Sequence, residues 1–281
     1  MGLGESILYA AAKRLYNTEV AQTTEMKESL TDIDSYDQFR SGEADKVMSA
    51  LERYGIELRG KRMIDFGCND GALSERYHRA GAVVTGVDID AKAIDRARLR
   101  CPDVTFCVSG VDGIPMPDSS ADVIVSFDVF EHVAKPEPIL HEMRRILAPG
   151  GTVVIGTIGW WSPFAPHLWS TMPVPWAHVL FSERTLLRAC RRVYHAPWYR
   201  LTMHDIDESG KRLPDKFTGE YISRDYLNHY LIRDFERAFK AAGFSARTEA
   251  VPVHGLSPLR PICQVPWLRE IFSASVWFVL R

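Results

Sequence analysis

Between Lys61 and Gly156 short apolar runs alternate with longer stretches whose apolar residues return at helical spacing. Met63–Phe66, Val83–Val87, Val104–Val108, Val123–Phe127 and Thr152–Gly156 read as strands. The spacing predicts helices over Ala72–Ala80, Ala91–Arg100 and Pro138–Leu147. Gly81, Cys101-Pro102 and Pro149-Gly150-Gly151 stop them, because Gly and Pro break a helix at its end. Strands and helices alternating at this pitch close only as right-handed crossovers, which gives a mostly parallel sheet.

The flanks have other rhythms. Residues 4–57 read as helical, with Phe39, Val47, Met48 and Leu51 in register until Gly55. Residues 158–220 are rich in Trp, Pro and His, and Ser182–Tyr194 is the one clear helix there, with Ser182 as its N-cap. The α/β pattern resumes with an amphipathic helix over Arg224–Ala242, then strands at Ala246–Val251 and Ala274–Leu280. Four parts follow: an N-terminal helical segment (1–57), a core (58–157), a cap insertion (158–220) and the C-terminal part of the core (221–281).

Composition narrows the function. A formal net charge of −2 supplies no broad field for nucleic acid, so no nucleic-acid partner is expected. Five cysteines without metal or redox spacing suit reduced thiols. No apolar run has the length of a bilayer-spanning helix, so no membrane span is expected. Glu5 precedes and Lys13-Arg14 follow the first apolar stretch, the wrong order for a signal peptide, and a cytoplasmic protein is the expectation.

Candidate chemistry sits at Asp65-Phe66-Gly67-Cys68-Asn69-Asp70-Gly71, between a strand and a helix. Glycines let the backbone turn tightly and approach a ligand, and the helix start offers unpaired amides. Asp88 ends the next strand, where a carboxylate can accept both hydroxyls of a ribose. Each acid alone also suits an ordinary turn carboxylate. The G-x-G-x-x-G that seats a pyrophosphate is absent, and Asp70 beside a pyrophosphate would be unfavourable. A sulfonium with an α-amino group tolerates such a carboxylate.

The run Ile64–Gly71 resembles motif I of the class I, Rossmann-like S-adenosylmethionine-dependent methyltransferases. Gly86–Asp90, Ile114–Ile124, Phe127–Val133 and Leu147–Gly151 are similar to that family's later blocks, in the same order. The resemblance implies a doubly wound, mostly parallel seven-stranded α/β sheet with its last strand antiparallel. N-terminal helices and an aromatic-rich cap after strand five would complete the fold. S-adenosylmethionine is the implied cofactor. Asp65, Gly67, Cys68, Asn69 and Gly71 would form its turn, and Asp88 and Ile89 would hold the ribose. Val111 and Asp112 would border the adenine, and Phe127 and Asp128 would face the reacting methyl. Asn69 stands where relatives commonly carry glycine, and Gly110 where many carry an adenine-binding Asp.

The cap leaves from strand five, at the sheet edge where ligands bind. Trp160, Trp161, Trp169 and Trp176 are candidate acceptor contacts, and a compact cap core would also use some of them. A flat aromatic, sugar-like or partly lipid small molecule suits such a lining. His167 and His178 are candidate general bases. Asp128, Glu131 and His132 cluster after strand four, but the resemblance makes this stretch a helix start, and no metal is expected. The expected activity is methyl transfer to O or N of a natural-product or glycan precursor. The rival expectation is a catalytically silent cofactor-binding subunit that docks partners through its aromatic cap.

Overall fold

A computed structural model describes residues 2–16, 33–207, 209–253 and 260–281. The helical expectation for 17–32 lies outside the described residues. The elements are α1 (Leu3–Tyr16), α2 (Ile33–Arg53), β1 (Arg62–Phe66), α3 (Ala72–Arg79), β2 (Val83–Asp88) and α4 (Ala91–Arg100). Then come β3 (Thr105–Val108), β4 (Ala121–Phe127), α5 (Pro136–Ile146), β5 (Leu147–Thr157), α6 (Ala177–Leu180) and α7 (Glu183–Tyr194). The chain finishes with α8 (Ile232–Ala241), β6 (Ala246–Pro252), α9 (Pro266–Phe272) and β7 (Ser273–Leu280).

The seven strands form one sheet in the order β3-β2-β1-β4-β5-β7-β6. All pairs from β3 to β5 are parallel, and β7 is inserted antiparallel between β5 and β6. The order reverses direction between β1 and β4, so a crevice opens at the carboxyl ends of these two strands.

Strand periodicity divides the core between two faces. Ile64, Ile124, Ile155 and Phe278 point to the face covered by α5 and α8. Met63, Val125, Val154 and Trp277 point to the face covered by α2, α3 and α4. On α5 the buried Pro136, Ile139, Leu140, Met143 and Ile146 repeat at helical spacing, which fixes the face it presents. Pro136 at its first turn starts this helix two residues before the pattern indicates.

The two N-terminal helices serve different cores. Ala44, Val47, Ala50 and Leu51 of α2 pack on the sheet. Leu8 and Ala12 of α1 join a third core with Met172, Leu186, Cys190, Tyr194 and Phe217 of the cap. The N-cap of α7 is Ser182, whose hydroxyl accepts from the Thr185 N–H.

The helix expected from Arg224 starts only at Ile232. Asn228 is the reason. Its amide donates to the carbonyls of Phe130 and Val133 at 2.6 and 2.9 Å, and its oxygen accepts from the Tyr230 N–H at 3.0 Å. Its backbone N–H also donates to the Glu131 carbonyl. These bonds pull 224–231 out as a strap across the turn that follows β4.

Candidate active site

A cleft of about 1590 Å³ opens over the carboxyl edge of the sheet. Its floor includes Gly67, Asn69, Asp88, Ile89, Val111, Asp112, Phe127 and Asp128. Its roof is cap: Pro163, Phe164, His167, Trp169, Ser170, Thr202, His204 and Lys216. Tyr226 of the strap closes one side, and Phe39 and Glu43 of α2 add to the wall.

The β1–α3 turn builds the floor. Gly67 has φ of 78°, and a Cβ there would stand 2.2 Å from a Val129 methyl. Only glycine fits both the left-handed backbone and that contact. Asn69 is also left-handed, with φ of 47°, and its N–H donates to Asp88 Oδ2 at 2.8 Å. The Asp90 N–H donates to Asp88 Oδ1 at 2.9 Å, so two amides orient this carboxylate. Val111 and Asp112 sit at the tip of a tight turn closed by the Gly110 N–H to the Gly113 carbonyl. Phe127 stacks on Trp277 at 5.4 Å between ring centroids. Asp128 follows with φ of 53°, a sparsely populated conformation for a residue with a side chain, at the very end of β4.

Three members of the expected cofactor set stand behind the turn rather than in the cleft. Strand alternation turns Asp65 toward α3, where the buried carboxylate accepts from the Ser74 hydroxyl at 2.5 Å. Cys68 is buried, and burial pushes its thiol well up, with Asp65 and Asp88 adding to the effect. Gly71 caps α3 in the left-handed region, and a Cβ there would meet the Phe106 ring at 2.9 Å. These three hold the turn in shape.

The two expected bases separate. His167 lines the cleft, whereas His178 is packed inside the cap. His178 Nε2–H donates to the Trp160 carbonyl at 2.7 Å, and burial pulls the imidazole down to about 4. His178 thus corrects to a cap-packing residue. Burial, then the neighbouring His132, lowers His167 to about 3.

Of the expected acceptor tryptophans, Trp169 alone lines the cleft. Trp160 stacks on His229 at 3.6 Å, and Trp176 Nε1 donates to the Ile271 carbonyl. Trp161 lies under the Arg233 guanidinium, 36% exposed. An irregular cap has no period from which inside and outside could be read, so composition overstated the aromatic lining.

His132, of the cluster noted after strand four, also lines the cleft. Lys135, Thr202 and Lys216 line it too and carried no local signal, and His204 joins them from the cap. Glu131 lies just beneath, buried, with Oε2 accepting from the Thr157 hydroxyl at 2.6 Å. Burial raises its carboxyl against the pull of that bond and of His132. Among the described residues, no helix is long and apolar enough to cross a membrane.

Residues 64–155 match the family described as methyltransferase domain. An uncharacterized methyltransferase of Mycobacteroides abscessus is 30% identical over 118 residues, covering 40% of this chain and 46% of the relative. A ubiquinone biosynthesis O-methyltransferase of Klebsiella pneumoniae subsp. pneumoniae is 34% identical over 106 residues, covering 36% and 44%. The chain spans about half the length of the curated relatives it matches. The crystal structure of an S-adenosylmethionine-dependent methyltransferase from Mesorhizobium loti superposes with a TM-score of 0.51 at 20% identity, covering 83% of this chain and 96% of that one. The strand order with its inserted antiparallel β7 agrees with the fold of this neighbour. Residues 64–155 thus match a methyltransferase domain, in a chain that shares the fold of the Mesorhizobium loti S-adenosylmethionine-dependent methyltransferase.

Proposed function

We propose that this chain transfers a methyl group from S-adenosylmethionine to an oxygen or nitrogen of a small molecule held between the sheet edge and the cap. The observation that carries this reading is the single cleft whose floor is the β1, β2 and β4 ends and whose roof is the cap. Its volume of about 1590 Å³ exceeds the roughly 300–1,000 Å³ typical of one ligand, so donor and acceptor fit together.

The residues present suit the donor. Asp88 keeps lone pairs for ribose hydroxyls after accepting its two amides. Ile89 and Val111 are apolar yet 58% and 68% exposed where they line the cleft, which suits the faces of a flat heteroaromatic ring. Asp128 stands at the β4 end, where a carboxylate favours a sulfonium or an α-amino group.

S-adenosylmethionine supplies an activated methyl on a good leaving group. The chain must align the acceptor, exclude water and let an acceptor hydroxyl lose its proton. Phe164 and Trp169 give the roof an apolar surface for an aromatic, sugar-like or partly lipid acceptor, and His167 is the histidine placed to meet it. Relatives named as ubiquinone biosynthesis O-methyltransferases favour oxygen as the acceptor atom. The docking-subunit alternative needs an open aromatic face; Trp160, Trp169 and Trp176 are half-buried and of the four only Trp161 reaches 36% exposure, which favours the catalytic reading.

The test uses methyl-labelled S-adenosylmethionine with the small-molecule fraction of a cell extract. The expected result is label on a low-mass product, lost in His167→Ala while the cofactor still binds. Tight cofactor binding with no transfer to any fraction would instead identify a silent binder.

A further inference from the structure

Immediately after β4, Glu131 and His132 share one 3-10 turn, and the cap lays His167 over them. One donor atom from each of these three side chains lies within 4.8 Å of the other two. His167 Nε2 stands 3.9 Å from Glu131 Oε1, and the two imidazole rings meet at 5.1 Å between centroids. Glu131 Oε1 is buried with no hydrogen-bond partner, on a side chain only 5% exposed. A carboxylate oxygen left bare in a protein interior is costly unless a cation or a proton compensates it.

The surrounding bonds leave a lone pair free on both Glu131 and His132. Glu131 Oε2 is held by the Thr157 hydroxyl, which leaves Oε1 facing the cluster. His132 Nδ1 lies 2.8 Å from the Tyr226 carbonyl oxygen. A carbonyl only accepts, so Nδ1 carries the proton and Nε2 presents its lone pair. An imidazole whose far N–H is tied to a carbonyl, beside a carboxylate fixed by a hydroxyl, is the outer-shell pattern that orients metal ligands. The strap that supplies the Tyr226 carbonyl is the segment Asn228 pulls out of the expected helix.

We propose that Glu131, His132 and His167 bind one divalent transition metal ion on the acceptor side of the cleft. Two imidazoles and one carboxylate select Zn, Fe, Mn or Co over the harder Mg, and leave further positions for a small molecule. Metal bonds of about 2.0–2.2 Å require the three donors to close in by side-chain rotation. His132 and His167 both line the cleft, so an ion held by them would be within reach of an acceptor there. For the reaction this inference rests on the methyltransferase reading; for binding it does not.

In that reaction an ion held by Glu131, His132 and His167 would lower the pKa of an acceptor hydroxyl. The proton leaves to solvent, the oxygen lone pair attacks the methyl carbon, and the C–O bond forms as the C–S bond breaks. The products are the methyl ether and neutral S-adenosylhomocysteine, with one proton released.

The experiment strips the full-length protein with EDTA, removes the chelator and titrates it with Zn²⁺ by calorimetry and with Co²⁺ by visible absorption. One equivalent should bind, with Co²⁺ ligand-field bands. Glu131→Gln and His167→Ala should each weaken uptake by at least about tenfold, the range seen when even an outer-shell partner is lost. Circular dichroism of both variants establishes that they are folded, and S-adenosylmethionine is titrated into the same samples. No stoichiometric uptake by the folded parent, or uptake unchanged in both folded variants, would overturn the site. Metal uptake without S-adenosylmethionine binding would keep the site and overturn the methyltransferase reading. S-adenosylmethionine binding without metal uptake would do the reverse.

Discussion

The Asn69 backbone N–H and the Asp88 carboxylate, 2.8 Å apart, tie the turn after β1 to the end of β2. The bond sets the angle of the carboxylate and the left-handed backbone of the turn together. Asp88→Ala removes the carboxylate proposed to accept the ribose hydroxyls and unties the turn. The variant should bind S-adenosylmethionine about 1–3 kcal/mol more weakly by calorimetry, the cost of lost charge-assisted hydrogen bonds. Asp88→Asn keeps one acceptor oxygen and should lose less. Parent-like affinity in Asp88→Ala would show that the ribose lies elsewhere.

Gly67 faces two separable penalties. Its φ of 78° costs a residue with a Cβ about 1–2 kcal/mol, and the 2.2 Å approach to Val129 adds a clash. Gly67→Ala should therefore lower the denaturation midpoint, and adding Val129→Ala should recover the clash part only. Gly67→Val should be worse than Gly67→Ala. Full recovery in the double variant would mean that the left-handed backbone carries no cost here.

His178 belongs to cap stability. His178→Ala deletes the donor to the Trp160 carbonyl inside the cap, which should cost about 1–3 kcal/mol in chemical unfolding. Its S-adenosylmethionine affinity should match the parent's. A loss of cofactor affinity in the folded variant would place His178 at the donor site after all.

Asp205 anchors the cap roof. The Tyr199 hydroxyl, the Thr202 N–H and hydroxyl, and Lys216 all donate to its buried carboxylate at 2.8–2.9 Å. Burial alone would raise the carboxyl, but the bonds from Thr202, Lys216 and Tyr199 outweigh it and hold it below the ordinary aspartate value. A depressed folded pKa contributes stability above the unfolded value of about 3.9, and that contribution is lost as pH falls through the folded value. Asp205→Ala should cost on the order of 3 kcal/mol at neutral pH, since four donors lose one acceptor. The gap in Tm between parent and variant should narrow as pH falls below about 4. A gap independent of pH would show that the carboxylate charge is not what holds the roof.

The floor of the cleft was legible because its determinants are local. A glycine turn after β1 and an acid closing β2 need only a strand-turn-helix context to be recognised, and Gly67, Asn69 and Asp88 stand where that context puts them. The strap at 224–231 was not legible. Its helical periodicity is real, but Asn228 spends its amide on carbonyls nearly a hundred residues away, and those bonds override propensity. The Glu131–His132–His167 cluster was hidden for a related reason: its third member arrives from the cap, outside any ligand spacing. Asp65 and Cys68 carry the motif yet face away from the cleft, because alternation along β1 and the turn after it point them into the α3 side.

The central claim is that the cleft over β1, β2 and β4 is built for S-adenosylmethionine, and calorimetric titration of the full-length protein tests it most directly. The expected result is saturable one-to-one binding of S-adenosylmethionine or S-adenosylhomocysteine, lost or weakened in Asp88→Ala, with a Tm that rises with ligand concentration by mass action. NAD should give no heat and no shift. Binding of NAD in place of S-adenosylmethionine, or affinity unchanged by Asp88→Ala, would contradict it.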